Sequence, residues 1–212
     1  MPQLQIREMP VDLYEGISKT AQTDVAVTVR LALFFALLMV LAGFSFAGPS
    51  EKLPLPKQLQ VAKLPWFALD AKDGEGTYNE IINNDKLKEI ARQRNSKRVV
   101  FAFFATWCLP CRDGLRLLSE KNEELKKHGI LVVLINVGEN DYVKTGKWIE
   151  EYAKKDWLLG FDKFSNLPEN FGLSKHGAEM PLPATLVLDS DLRPLMLIKR
   201  EGDDYPQILW SK

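Results

Sequence analysis

With 212 residues, the chain is long enough for one ordinary domain plus an appendage and for a sizeable core. Its 28 Lys and Arg are matched by 28 Asp and Glu, so the formal net charge is zero, and no basic face for a nucleic-acid partner is expected. There are two cysteines, too few for a disulfide framework, and the hydrophobic fraction of 46% is ordinary for a globular chain.

Residues 1–24 are polar and mixed in charge and read as a tail. Residues 25–47 hold Arg30 and then an uncharged run from Leu31 to Ala47. Together with Val25-Ala26-Val27 it reaches the roughly 20 residues that a bilayer-spanning helix requires. One transmembrane anchor is the expectation. A cleaved signal is the alternative, because Ser45-Phe46-Ala47 before Gly48 has small residues at a signal-peptidase spacing, and a buried core helix is the other. Flanking charge does not orient the segment: Arg30 precedes it, and Lys52, Lys57 and Lys63 follow. Residues 48–64 carry Pro49, Pro54 and Pro56 among polar residues and read as an extended linker, with the folded domain over 65–212.

Within that domain, Trp66 to Asp70 predicts a short strand, followed by a turn at Asp73-Gly74-Glu75-Gly76. Asn79 to Asn95 mixes apolar and charged residues as a surface helix does. Val99 to Phe104 is an unbroken apolar run, Ile130 to Val137 is apolar without alternation save for Asn136, and such runs suit internal strands covered on both faces. Between them a helix is expected from Cys108 to His128, with Gly129 as its stop. A helix over Tyr142–Lys155, a weak strand over Trp157–Phe161 and one or two helical turns over Leu167–Leu173 follow. Thr185–Leu188 and Leu195–Lys199 read as a strand pair, and Tyr205–Trp210 as a closing helix. The order β-α-β-α-β-α-β-β-α predicts an α/β fold: a mixed sheet flanked by helices.

The chemistry concentrates where the first apolar strand runs into Trp107-Cys108-Leu109-Pro110-Cys111. A dithiol exchanges disulfides when one sulfur attacks as thiolate and the other resolves the mixed intermediate. A thiol at a helix start sits over free N–H groups and the positive end of the dipole, which marks Cys108 as the attacker. Cys111, one turn inside on the face of Leu115 and Leu118, is the shielded resolving thiol. Pro110 suits the first helical turn, where a missing N–H costs nothing. A Cys-x-x-Cys pair can also be half a metal site or two inert core thiols. His128 and His176 stand at no close ligand spacing to it. Trp107 fits a core contact and a substrate-facing rim equally well.

Phe103-Phe104-Ala105-Thr106-Trp107-Cys108-Leu109-Pro110-Cys111-Arg112 resembles the active-site signature of the thioredoxin superfamily, in the form of membrane-tethered TlpA/ResA/CcmG-type thiol-disulfide oxidoreductases. Similarity continues through Val132 to Glu139 and through Met180-Pro181-Leu182-Pro183-Ala184-Thr185 to Asp189, covering residues from about 64 to 212. The resemblance implies a thioredoxin-like fold with Pro183 cis beside Cys108, Pro181 being the rival for the cis position. It also implies that Leu182 offers its backbone to a substrate strand, and that Trp107, Leu109 and Pro110 meet the substrate. It implies a reductase of disulfides in extracytoplasmic proteins, with apocytochrome c as one client class. The electron donor would be a membrane protein of the CcdA/DsbD kind, and the domain would lie in the bacterial periplasm. No cofactor or metal is implied. The alternative is a tethered domain that holds copper or a partner protein through its cysteines. A peroxidase is less well matched, since no Pro-x-x-x-Thr-x-x-Cys pattern precedes Cys108.

Two positions depart from the family. Thioredoxins often carry a buried Asp six residues before the first cysteine, where this chain has Ala102. ResA-like proteins often carry a Glu three residues after the second, where it has Gly114. With no acid at either place, the expectation is a Cys111 that resolves slowly, its proton taken by water.

Overall fold

The structure, a computed structural model, describes residues 48–72, 78–162 and 164–211. The expected tail, the anchor and the turn at 73–76 lie outside the described residues. Among the described residues no helix is long and apolar enough to cross a membrane.

Eight strands form one mixed sheet: β1 (Glu51–Leu53), β2 (Ala68–Lys72), β3 (Tyr78–Asn83), β4 (Arg98–Phe104), β5 (Ile130–Asn136), β6 (Leu158–Asp162), β7 (Ala184–Asp189) and β8 (Pro194–Arg200). Their spatial order is β1-β8-β7-β4-β5-β6-β2-β3. At the centre β4, β5 and β6 run parallel, and β7 lies antiparallel against β4. The helices are α1 (Asn84–Gln93), α2 (Leu109–Glu120), α3 (Asn122–Lys127), α4 (Tyr142–Ile149), α5 (Leu167–Asn170) and α6 (Tyr205–Ile208).

The unbroken apolar runs of β4 and β5 are the strands covered on both faces. Because side chains alternate across a strand, β4 sends Phe101 and Phe103 to one face and Val100, Ala102 and Phe104 to the other. The first face packs against α1 and α5 around an aromatic group in which Phe67 meets Phe101 edge-on at 5.5 Å and Phe171 stacks on Phe101 at 6.4 Å. The second face packs against α2, α3, α4 and α6, and it holds both cysteines.

Three expectations change. The Pro-rich stretch 48–64 is not a free spacer: β1 pairs antiparallel with β8, Leu53 opposite Leu197, and Leu59 and Leu64 are buried in the first core. Burying a leucine contributes about 1.5–3 kcal/mol, which holds such a segment down without further secondary structure. Second, the helix expected from Asn79 starts only at Asn84. Residues 78–83 pair with β2 instead, and the adjacent isoleucines split as strand residues do, Ile82 buried and Ile81 exposed. Asn83 marks the switch, its side chain accepting from Lys86 N at 3.0 Å as the helix cap. Third, the helix expected to run from Cys108 to His128 breaks at Lys121. There Asn122 turns inward and its carbonyl accepts from the buried Trp157 indole at 2.7 Å. The next helix ends where expected, at Gly129 with φ of 69°.

Candidate active site

Strand β4 carries the chain to Ala105, and Cys108 caps α2. Cys108 and Cys111 are joined by a disulfide. Leu109 and Pro110 fill the first turn, so the missing proline N–H leaves no bond unmade. The Cys111 N–H points at Cys108 Sγ at 3.2 Å. A thiolate formed at Cys108 is therefore met by a backbone donor and by the positive end of a 12-residue helix. Cys111 Sγ lies 4.0 Å from the Phe103 carbonyl oxygen, inside the second core.

Both cysteines are nearly closed off, at 3% and 2% exposure, whereas Trp107 and Leu109 on either side of Cys108 stand out at 61% and 65%. Trp107 is thus a rim residue and not a core contact. The Leu182–Pro183 bond is cis, and Pro181 is not the cis residue. The pairing of Ala184 with Phe103 sets the start of β7 beside the end of β4, from which Cys108 follows. Leu182 packs against both cores, and among the described residues its backbone makes no hydrogen bond. Trp107 and Leu182 also line an open groove with Val137, Gly138, Met180 and Asp162. Burial holds the Asp162 carboxyl above its ordinary range, against the lowering pull of backbone N–H groups that include Leu167.

Neither histidine turns to the dithiol. His176 is exposed and bonds Glu169 at 2.9 Å, and His128 stacks on Trp210 at 4.6 Å.

Two carboxylates near the dithiol were not legible as site residues. Glu139, after β5, accepts from the Thr106 N–H and the Asn136 amide at 2.7 Å each, and from the Thr106 hydroxyl. It ties the loop before Cys108 to the end of β5. Its only sequence signal is the Gly-Glu turn. The second is Glu201, just after β8. A Cβ built on Gly114 would fall 1.7 Å from Glu201 Oε2 and 2.8 Å from its Cδ. The space that a side chain at 114 would fill is occupied by this carboxylate. Thr185 donates to Glu201 Oε1 at 2.7 Å, and the Tyr205 hydroxyl lies 2.7 Å from the same Thr185 oxygen. Thr185 is the cross-strand partner of Ala102. Position 114 therefore borders Glu201 directly, and position 102 is linked to it through Thr185. Part of the residue reaches the surface, yet its carboxylate is enclosed, and burial raises that carboxyl to about 7 against the opposing pull of the Thr185 and Tyr205 hydroxyls.

Comparison with known proteins agrees with this geometry. The chain is 28% identical over 89 residues to thiol-disulfide oxidoreductase ResA of Geobacillus kaustophilus, covering 38% of this chain and 51% of that one. To ResA of Halalkalibacterium halodurans it is 22% identical over 120 residues, covering 56% and 64%. The matches thus span about half to two thirds of these relatives' own length. The fold is shared with Enterococcus faecalis AhpC, whose crystal structure superposes with a TM-score of 0.53 at 18% identity over 70% of this chain and 86% of that one. The AhpC/TSA family model matches residues 62–193, well over half the sequence and including the dithiol and the cis-proline loop, and the chain belongs to this thioredoxin-like family.

Proposed function

We propose that the chain is a thiol-disulfide oxidoreductase that reduces disulfides in other proteins through Cys108 and Cys111. The observation that carries the reading is the disulfide-forming pair at the cap of α2, with Cys108 under a backbone donor and between two exposed apolar residues. In the reduced protein Cys108 thiolate attacks a client disulfide. The client S–S bond breaks, one client sulfur leaves as thiolate, and a mixed disulfide joins the other to Cys108. Cys111 loses its proton and attacks Cys108 Sγ, which releases the second client sulfur and leaves Cys108–Cys111 oxidised. Two electrons pass from the dithiol to the client.

Trp107, Leu109, Pro110 and the backbone of Leu182 before cis-Pro183 receive the client segment. The unbonded Leu182 backbone and the apolar wall of the groove support this assignment. The direction is reducing, the domain stands in the periplasm on the anchor at 25–47, and a membrane donor of the CcdA/DsbD kind restores the dithiol. Apocytochrome c is one client class. The uncharged run from Leu31 to Ala47 supports the anchor, and the relatives' names support the thiol-disulfide exchange.

The test is reduction of insulin disulfides by the full chain in detergent with dithiothreitol as the reductant. Accelerated reduction that disappears in Cys108→Ser is expected. No acceleration by the wild type, or retention of activity in Cys108→Ser, overturns the reading, and stoichiometric copper retention without insulin reduction replaces it with the metal-binding alternative.

A further inference from the structure

Cys111 must give up a proton before it can attack, and it does so inside a core from which water is nearly excluded. A group able to take that proton has to lie within about one water of the sulfur and hold a pKa near the working pH. On α2 itself the charged residues Arg112, Asp113, Arg116 and Glu120 are all exposed, so none of them is turned toward the core.

Gly114 shows what fills the place. Residues three apart on a helix have Cβ atoms roughly 5–6 Å apart, so the 114 side-chain position is the direct neighbour of Cys111 on the next turn. That position is occupied by Glu201 Oε2. Glycine there removes the one atom that would collide with the carboxylate, although glycine inside a helix costs about 1 kcal/mol relative to alanine. The segment bearing Glu201 is strapped in place from the other side. The next residue, Gly202, donates to Ser50 Oγ at 2.9 Å, and its missing side chain leaves room for the backbone of Gly48 and Ser50, 2.1 and 2.6 Å from where a Cβ would be. Asp204 accepts from Ser50 N at 2.7 Å. The stretch expected to be a spacer therefore serves to close the chamber.

We infer that Glu201 is the proton partner of Cys111, supplied from the segment after β8 in place of an acid on α2 or β4. The inference rests on the dithiol reading above and concerns its second step. As Cys111 S–H loses its proton to the Glu201 carboxylate, Cys111 sulfur forms the bond to Cys108 and the Cys108–client bond breaks. Glu201 then holds the proton until it passes to the departing client thiolate, and re-reduction returns it. The groups facing Glu201 are the Thr185 hydroxyl from β7 and the Tyr205 hydroxyl from α6, with Gly114 of α2, one turn on from Cys111, against Oε2. Burial, with the adjacent Glu201 charge, raises Tyr205 well above its ordinary value, so it remains a neutral donor through the physiological range. The Glu201 carboxyl, near 7, is left as the group that changes state. The expectation of a slow, unassisted Cys111 is thereby revised, because it assumed that empty positions at 102 and 114 meant no acid nearby.

The test follows the resolving step alone. Full-length protein is reduced and mixed with a small aromatic disulfide, and formation and decay of the mixed disulfide are timed between pH 5 and 9. General-base help contributes about 10²–10⁴-fold, so Glu201→Gln should slow the decay by about tenfold or more at pH 7 and erase an inflection near pH 7, while formation at Cys108 is unchanged. The double variant Gly114→Glu/Glu201→Ala returns a carboxylate to the same space from α2 and should restore both rate and inflection, which a merely structural role for Glu201 would not do. Decay in Glu201→Gln at the wild-type rate and pH profile overturns the inference and leaves the dithiol reading standing. An undiminished inflection in a slowed Glu201→Gln, or failure of the swap to restore the inflection, also overturns it. A wild type that forms no mixed disulfide overturns the dithiol reading and the inference with it.

Discussion

The loop ahead of Cys108 and the turn after Cys111 are each packed against a carboxylate from another element, Glu139 after β5 and Glu201 after β8, and the two are held by different chemistry. Glu139 is gripped by a backbone N–H, an amide and a hydroxyl on residues of the β4 and β5 ends. Glu201 meets two hydroxyls and no N–H donor among the described residues, is packed into a cavity shaped by a missing side chain, and has its carboxyl pushed to about 7 by burial. A carboxylate given several donors acts as a tie, because each bond it accepts is lost if it moves. One that is buried with few donors is poised to exchange a proton. Position near a reactive pair does not by itself distinguish a brace from a proton carrier; the donors do.

The largest effect that would break this contrast is on stability against pH. In the oxidised protein the cysteines do not titrate, so Glu201 can be read separately. Its folded value near 7 exceeds its ordinary value of 4.5, so between these the folded state keeps a proton that the unfolded state has lost. Stability should therefore fall as pH rises through that window. By pH 8 the loss should reach about 3 kcal/mol relative to Glu201→Gln, whose curve stays flatter, as measured by denaturant unfolding at each pH. Parallel curves would mean that the carboxylate is not buried as described.

A smaller effect sharpens the other side. Glu139→Ala leaves the Thr106 N–H and the Asn136 amide without their acceptor and should cost about 1–2 kcal/mol in the same unfolding measurement. It should not remove the inflection near pH 7 in the resolving step. Loss of that inflection would put Glu139 in the proton path and dissolve the distinction.

Much of the fold was legible because the signals were local. The continuous apolar runs at 99–104 and 130–135 suited covered strands, and Gly129 marked a helix end. Asn79–Asn83 misled because Ile81 and Ile82 are adjacent, and in five residues a helical and an alternating pattern are hard to separate. The break at Lys121 follows from Asn122 reaching Trp157, 35 residues later, which no local window contains. In the site, Cys108, Cys111 and cis-Pro183 were visible in motifs. Glu201 was not, because its meaning depends on a glycine 87 residues earlier and on a strap, residues 48–50, at the start of a Pro-rich stretch that read as a spacer. What looked like two missing acids was one acid arriving from another element.

The most direct test of the central claim is capture on the attacking sulfur. Full-length Cys111→Ser protein, reduced and incubated with insulin, should accumulate a covalent mixed disulfide, and peptide mass spectrometry should locate it at Cys108. Double substitution of Cys108 and Cys111 by Ser should give none. Absence of any adduct in Cys111→Ser, or the same adduct from Cys108→Ser linked through Cys111, would contradict the assignment of Cys108 at the α2 cap as the nucleophile.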